Sequence, residues 1–256
     1  MTGRYRDKFT QKVLPGPVPP RETSGMAIRI SPGAYIVRPI EDPAAVELVL
    51  YHDVLCSWCY VADARLDFLR DEYGPAIRWR FRPYALRPEN QLPDKKQRAA
   101  LARNFRRVAK ENEGRGVTAE LWTGRDPPSS SMPPLVALEA ALPQGEQLQR
   151  ELLQGMRKAA FVDGINVARR DVQLELAARA GLDLSRFIDR LDSPSTALSV
   201  TSASAEADAL GIKGVPALVI GGEWLMQGCR DLGEYRHVID KYLRERAMGP
   251  PVRMMH

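Results

Sequence analysis

Val46-Glu-Leu-Val-Leu-Tyr-His52, running straight into Asp53-Val-Leu-Cys56-Ser-Trp-Cys59, is the stretch on which the reading of the chain turns. The first seven residues are rich in β-branched and aromatic side chains and partly alternate, which predicts a strand. Beyond the cysteines, Trp58, Ala62, Leu66, Leu69 and Tyr73 recur at helical spacing and would share one face of a helix that Gly74-Pro75 ends. Ile77-Arg-Trp-Arg-Phe-Arg-Pro83 then alternates apolar with basic residues, the pattern of a second strand with one wet face. The unit is strand, helix, strand, with two cysteines where strand passes into helix.

Downstream the period changes. Residues 84–214 read as mostly helical. Leu101, Phe105 and Val108 mark one amphipathic segment, Leu135, Leu138 and Leu142 a second, and Leu148, Leu152, Met156 and Ala160 a third. Asp171 to Ala180 is a fourth, stopped by Gly181, and Asp183 can cap a short fifth. Gly114 to Pro134, with its Asp126-Pro-Pro-Ser-Ser-Ser run, reads as a loop. Ser193-Pro194 opens a helix using Val200, Ala203, Ala207 and Leu210. Pro216 to Ile220, Gly221-Gly222 and Glu223 to Met226 read as a hairpin, because glycine tolerates the positive φ of its turn. A last helix uses Leu232, Tyr235, Val238, Ile239 and Tyr242. The expected organisation is an N-terminal basic, proline-rich extension over 1–45, one layered domain from 46–83 and 195–245, a helical insertion over 84–194, and a tail over 246–256.

With 44% hydrophobic and 27% charged residues the composition is that of a globular protein, and no window has the apolar length of a membrane span. The net charge of +5 suggests nucleic acid until it is located. Residues 1–38 hold seven basic and two acidic side chains, so the other residues balance. A solvated, unstructured arm explains that excess without a nucleic-acid partner, and Arg98, Arg103, Arg106 and Arg107 read as the wet face of a helix. The first residues carry charges and no secretory apolar run, which predicts a cytoplasmic location.

Three cysteines cannot make a disulfide scaffold, so the Cys56/Cys59 pair asks for redox or metal chemistry. A zinc site needs two further ligands, and only His52, His237, His256 and Cys229 remain, with no second close-spaced pair. We therefore expect no metal. At a helix start the free backbone N–H groups favour a thiolate, and a second cysteine one turn on can resolve a mixed disulfide. Gly214-Val215-Pro216, just before the third strand, is a natural place for a cis peptide bond that turns backbone groups outward.

With both features in hand, the chain resembles the thioredoxin superfamily, more closely its DsbA-like branch and the cytoplasmic FrnE-type proteins. The likeness rests on Asp53 to Tyr60, on Gly214-Val-Pro216 and on Phe161 to Leu182, and spans about residues 46–245. It implies an α/β thioredoxin-like fold with a large helical insertion, Cys56 as nucleophile, Cys59 as resolving thiol, and Val215 with cis-Pro216 binding substrate backbone. Ser57 stands where the family commonly has proline. The implied activity is thiol–disulfide exchange with protein or low-molecular-weight thiols, without a bound cofactor, glutathione serving at most as a co-substrate.

Around this core, Trp58 could offer an apolar surface to a partner or simply pack. Cys229 could line the substrate groove and form an alternative mixed disulfide or be an idle small residue. His52 and Asp53 could relay a proton to Cys59 or only finish the strand. Two rival readings stand beside the oxidoreductase. One is a glutathione-dependent isomerase or transferase of the hydroxychromene carboxylate isomerase or kappa-class type, which typically carries serine at the place of Cys56. The other is a non-catalytic binding module or chaperone. Electron-flow direction and oligomeric state are not written in these residues.

Overall fold

The computed structural model describes residues 28–29 and 45–248. Within them five strands form one mixed sheet. They are β1 (Ile28–Arg29), β2 (Val46–His52), β3 (Ile77–Pro83), β4 (Ala217–Ile220) and β5 (Trp224–Gln227). The spatial order is β1-β5-β4-β2-β3. β2 runs parallel to β3, Val46 opposite Ile77 and His52 opposite Pro83, and antiparallel to β4, Leu48 opposite Ile220. Parallel pairing demands a crossover, which α1 (Ser57–Tyr73) supplies. Gly221 and Gly222 both have positive φ in the β4–β5 turn, and a Cβ on Gly221 would sit 1.9 Å from the Tyr242 hydroxyl, so only glycine fits there.

Every residue of β2 is buried because both faces of the sheet are covered. Leu48 and Leu50 pack with Leu66 and Leu69 of α1 and with Tyr235, Val238 and Ile239 of α9 (Leu232–Met248). Val49 and Tyr51 face the other way, onto Ala207 and Leu210 at the end of α8 (Pro194–Ala209) and beyond it. Alternation along one strand thus feeds two separate cores.

The insertion folds as α2 (Lys95–Val108), α3 (Glu120–Thr123), α4 (Met132–Ala141), α5 (Glu146–Phe161), α6 (Arg170–Arg179) and α7 (Leu184–Leu191). An Asp94/Gln97 capping box starts α2 and the Asp183 side chain caps α7. α8 spans the two parts, since Val200 lies in the insertion's core and Ala207 in the sheet's. A line of edge-to-face rings docks the insertion on α1. Tyr60 meets Phe161 at 5.7 Å, Phe161 meets Phe105 at 5.1 Å, and Phe105 meets Trp122 at 6.1 Å. Each such pair adds about 0.5–1.5 kcal/mol beyond the area it buries.

Several expectations are corrected. Order does not begin at Val46, because Ile28 and Arg29 pair with Leu225 and Trp224 and give the sheet an edge strand. The other residues expected to form an unstructured arm lie outside the described ones. Helix α9 runs to Met248, past the start of the expected tail. Gly114 to Pro134 is not all loop. It contains α3, whose Trp122 is fully buried, and its Ser130 and Ser131 are buried against the Arg87 backbone. Arg98 leaves the wet face to cap α3, donating to the carbonyls of Trp122 at 2.7 Å and Gly124 at 2.5 Å. Among the described residues no helix is long and apolar enough to cross a membrane.

Candidate functional site

Strand β2 ends buried beneath the insertion, and the chain must turn there before α1 can begin. Asp53 organises the turn. It is fully buried, and its two carboxylate oxygens each accept a backbone N–H at 2.8 Å, from Leu55 and from Leu86, while the Ser131 hydroxyl also bonds it. Burial raises its affinity for a proton, and these hydrogen bonds oppose that rise. The carboxylate is occupied in tying the start of the insertion to the turn.

Cys56 is the N-cap of α1, in extended conformation with φ −84° and ψ 108°. Its Sγ accepts the Cys59 backbone N–H at 3.4 Å, in the place where a serine or aspartate oxygen usually caps a helix. A sulfur so placed faces the positive end of the helix dipole. On its other side the thiol donates to the Val215 carbonyl at 3.5 Å, across 159 residues of sequence. The Val215–Pro216 peptide bond is cis, and the Pro216 carbonyl accepts the Gly228 N–H at 2.8 Å. Cys56, Val215 and Pro216 therefore form one surface, and Cys56 is 8% exposed.

Cys59, one turn on, is wholly buried. Burial pushes its thiol well above the ordinary range, Cys56 adds to the rise, and the charge of Arg157 pulls it back. Arg157 comes from α5, is 2% exposed, and had no signature in the sequence. It donates to Asp63 at 2.7 Å and lies 3.4 Å from His52 Nδ1. A guanidinium has only donors to offer, so Nδ1 must accept and the ring proton sits on Nε2. Burial first, and Arg157 second, hold the His52 imidazolium far below its usual range. A neutral ring with its lone pair engaged is a structural partner for Arg157.

Trp58 does not present the apolar surface envisaged for a partner. It is 8% exposed and belongs to the core shared with the insertion. Cys229 is half-buried near the Cys56 side, 3.6 Å from Arg65 Nη1. Arg65 is itself held by Glu111 at 2.7 Å, Glu113 at 3.2 Å and the Arg230 carbonyl at 2.9 Å. Burial pushes the Cys229 thiol up to about 12, with Arg65 pulling the other way. A groove of about 700 Å³ lies between α1 and the α5–α6 pair, lined among others by Tyr60, Asp63, Arg157, Val162 and Leu176, but Cys56 does not open into it. Among the described residues no group of three or more histidine, cysteine or acidic side chains is placed to hold a metal ion.

Known proteins carry the same frame. The chain is 27% identical over 223 residues to the ClpXP adapter protein SpxH of Halalkalibacterium halodurans, covering 82% of this chain and 72% of that protein. A solved Nitrosomonas europaea structure, described as a candidate protein disulfide isomerase, superposes with a TM-score of 0.70 at 21% identity, over 78% of this chain and 98% of its own. The cytosolic disulfide reductase DsbM from Pseudomonas aeruginosa, solved with GSH, has a TM-score of 0.58 at 22% identity, over 79% of this chain and 98% of its own. At those identities the solved structures speak for the fold. The family model of the DSBA-like thioredoxin domain matches residues 47–240, from β2 through the insertion into the last helix, and the chain belongs to that family.

Proposed function

We propose that the chain is a thiol–disulfide oxidoreductase of FrnE type, acting in the cytoplasm on protein or low-molecular-weight thiols and disulfides, glutathione among them. One observation carries this: a cysteine sulfur that caps a helix and also reaches the carbonyl of the residue before a cis-proline. In the proposed cycle the Cys56 thiolate attacks a substrate disulfide, forms a mixed disulfide and expels a thiolate that takes up a proton. Cys59 then loses its proton and attacks Cys56 Sγ. The Cys56–Cys59 bond forms, the second substrate sulfur leaves, and two electrons have passed from the protein pair to the substrate. Run backwards, the same steps oxidise a substrate dithiol. The backbone at Val215 and Pro216 is the proposed seat for the substrate chain, and no metal or organic cofactor takes part.

The test is direct. Cys56→Ala should abolish insulin reduction and dithiol oxidation, whereas Cys59→Ala should accumulate a mixed disulfide visible by mass. Unchanged turnover in Cys56→Ala would refute the proposal. A second reading, a partner-binding module that uses this surface without turnover, is favoured by the adapter role named for the SpxH relative. Thiol titration before and after reductant separates the two, because a module of that kind need not form and break the Cys56–Cys59 bond.

A further inference from the structure

The dithiol has a charged floor that the exchange cycle above leaves unused. Asp63 follows Cys59 by four residues, so the two stack on one face of α1 about 5–6 Å apart at Cβ. Arg157 binds Asp63 from α5 and touches His52, the last residue of β2. Its guanidinium is thus wedged between the end of the strand and the first turns of the helix, on the side of α1 to which Cys59 belongs. The ion pair is not isolated. Asp63 also binds Arg70 at 3.1 Å, Arg70 binds Asp67, and Asp67 binds Arg150 at 2.8 Å. Three arginines alternate with two aspartates, so the chain of charges carries an excess positive charge, and Arg157 is its buried end. Nε of Arg157 has no acceptor among the described residues.

We propose that Arg157 is a positioning residue for the resolving step, its guanidinium stabilising the buried Cys59 sulfur as an anion while that sulfur attacks Cys56 Sγ. The inference rests on the exchange reading given above. The groups that act on Cys59 are Cys56 on its own helix, Asp53 at the end of β2 and Arg157 from α5, with His52 and Asp63 as the partners that hold Arg157 in place. Of these Arg157 is the cation. His52 is held neutral, Asp53 is spent on the Leu55 and Leu86 N–H groups, and Asp63 is shared between two arginines. Its opposing pull on the Cys59 thiol accords with this geometry. No electron passes through Arg157 and it accepts no proton. The Cys59 proton ends on the substrate thiolate that departs, and the guanidinium favours the sulfur left behind.

Reaction with dithiobis(nitrobenzoate) reads the two sulfurs apart. Attack by Cys56 releases one coloured thiolate, and resolution by Cys59 releases a second. In Arg157→Met the second release should slow by about tenfold or more at neutral pH, and its rate should rise only at higher pH. The first should stay within about twofold, because the guanidinium acts on the buried sulfur. Arg157→Lys should restore most of the second rate. If Arg157→Met does not fold, Arg157→Met with Asp63→Asn removes both charges of the pair and carries the same expectation. An unaltered rate and pH profile for the second release overturns the inference. So does equal slowing of both releases, the mark of a loosened scaffold. A wild-type protein that releases only one thiolate would overturn the exchange reading itself, before any variant is made.

Discussion

Two sides of the Cys56–Cys59 pair are built in different ways. The outer side, at Cys56, is made of backbone: the free N–H groups of α1, the Val215 carbonyl and the cis Val215–Pro216 bond. The inner side, at Cys59, is made of buried charge: Arg157, Asp63, Asp53 and the neutral His52. Backbone groups need no side chain of particular chemistry beyond the cysteine, so they leave the outer surface open to varied partners. Buried charges are costly unless they are mutually satisfied, so the inner side is where single substitutions should destabilise most. The first expectation follows at once. Asp63→Ala strands the Arg157 guanidinium in the core and should destabilise the fold by about 3–5 kcal/mol, read as a lowered midpoint in urea. Asp63→Leu with Arg157→Met should recover most of that loss, as paired buried charges often exchange for apolar residues at little net cost. A single variant as stable as the parent would erase the distinction between the two sides.

The outer side was the legible one, and for a physical reason. Strand and helix periods are local, so β2, α1 and β3 could be read from neighbours in sequence, and a cysteine at the junction of strand and helix has to fall near a helix cap. The DsbA-like frame followed from that junction and the Val215-Pro216 dipeptide. The inner side joins Asp63 to Arg157 across 94 residues. Arg157 directly follows Met156, part of the buried stripe of α5, and an arginine beside such a stripe reads as its solvated flank until the insertion is docked. Trp58 could not be decided for the same reason: its sequence neighbours place it beside the nucleophile, and the insertion's packing is what selects the packed reading over the partner-facing one. The β1 strand is two residues long, too short for any period, and exists only because β5 offers an edge. Helix α3 is one turn in a polar run, held by the burial of Trp122 and by Arg98 from α2.

A smaller effect tests whether the inner side titrates. His52 is held neutral in the fold, so its folded pKa lies well below its unfolded value near 6.5. The sign follows from proton counting. Above pH 6.5 neither state is protonated there and the contribution is full. Below it the unfolded chain binds a proton that the folded one refuses, and stability falls as the pH drops toward the folded pKa. The loss from this one group approaches about 1.4 kcal/mol per pH unit. Asp53, Asp67 and Glu139 have raised affinities for a proton and act in the opposite sense at lower pH, so the useful quantity is a difference. His52→Gln should keep an acceptor for Arg157 while flattening the stability slope between pH 6.5 and 5 relative to the parent. Parallel slopes in urea titrations would mean that His52 is protonated within the fold.

The smallest effect on stability belongs to the outer side and decides whether it holds one reactive sulfur or two. Cys229 follows Gly228, whose N–H bonds the Pro216 carbonyl, and the positive Arg65 beside it invites the idea of a second thiolate. The charges around Arg65 argue otherwise. Glu111 and Glu113 already neutralise the guanidinium, and burial outweighs what remains, so the thiol is pushed up to about 12. At neutral pH only about one Cys229 in 10⁵ is then a thiolate, and the higher nucleophilicity of so basic a sulfur recovers only part of that factor, since the Brønsted slope is about 0.4–0.5. Cys229→Ser should therefore leave both stability and turnover close to the parent's. A Cys56→Ser, Cys59→Ser protein treated with oxidised glutathione should carry no adduct by mass, while the parent reacts. An adduct forming on Cys229 at neutral pH would show that Arg65 outweighs burial there, and the outer side would hold a second site for mixed disulfides.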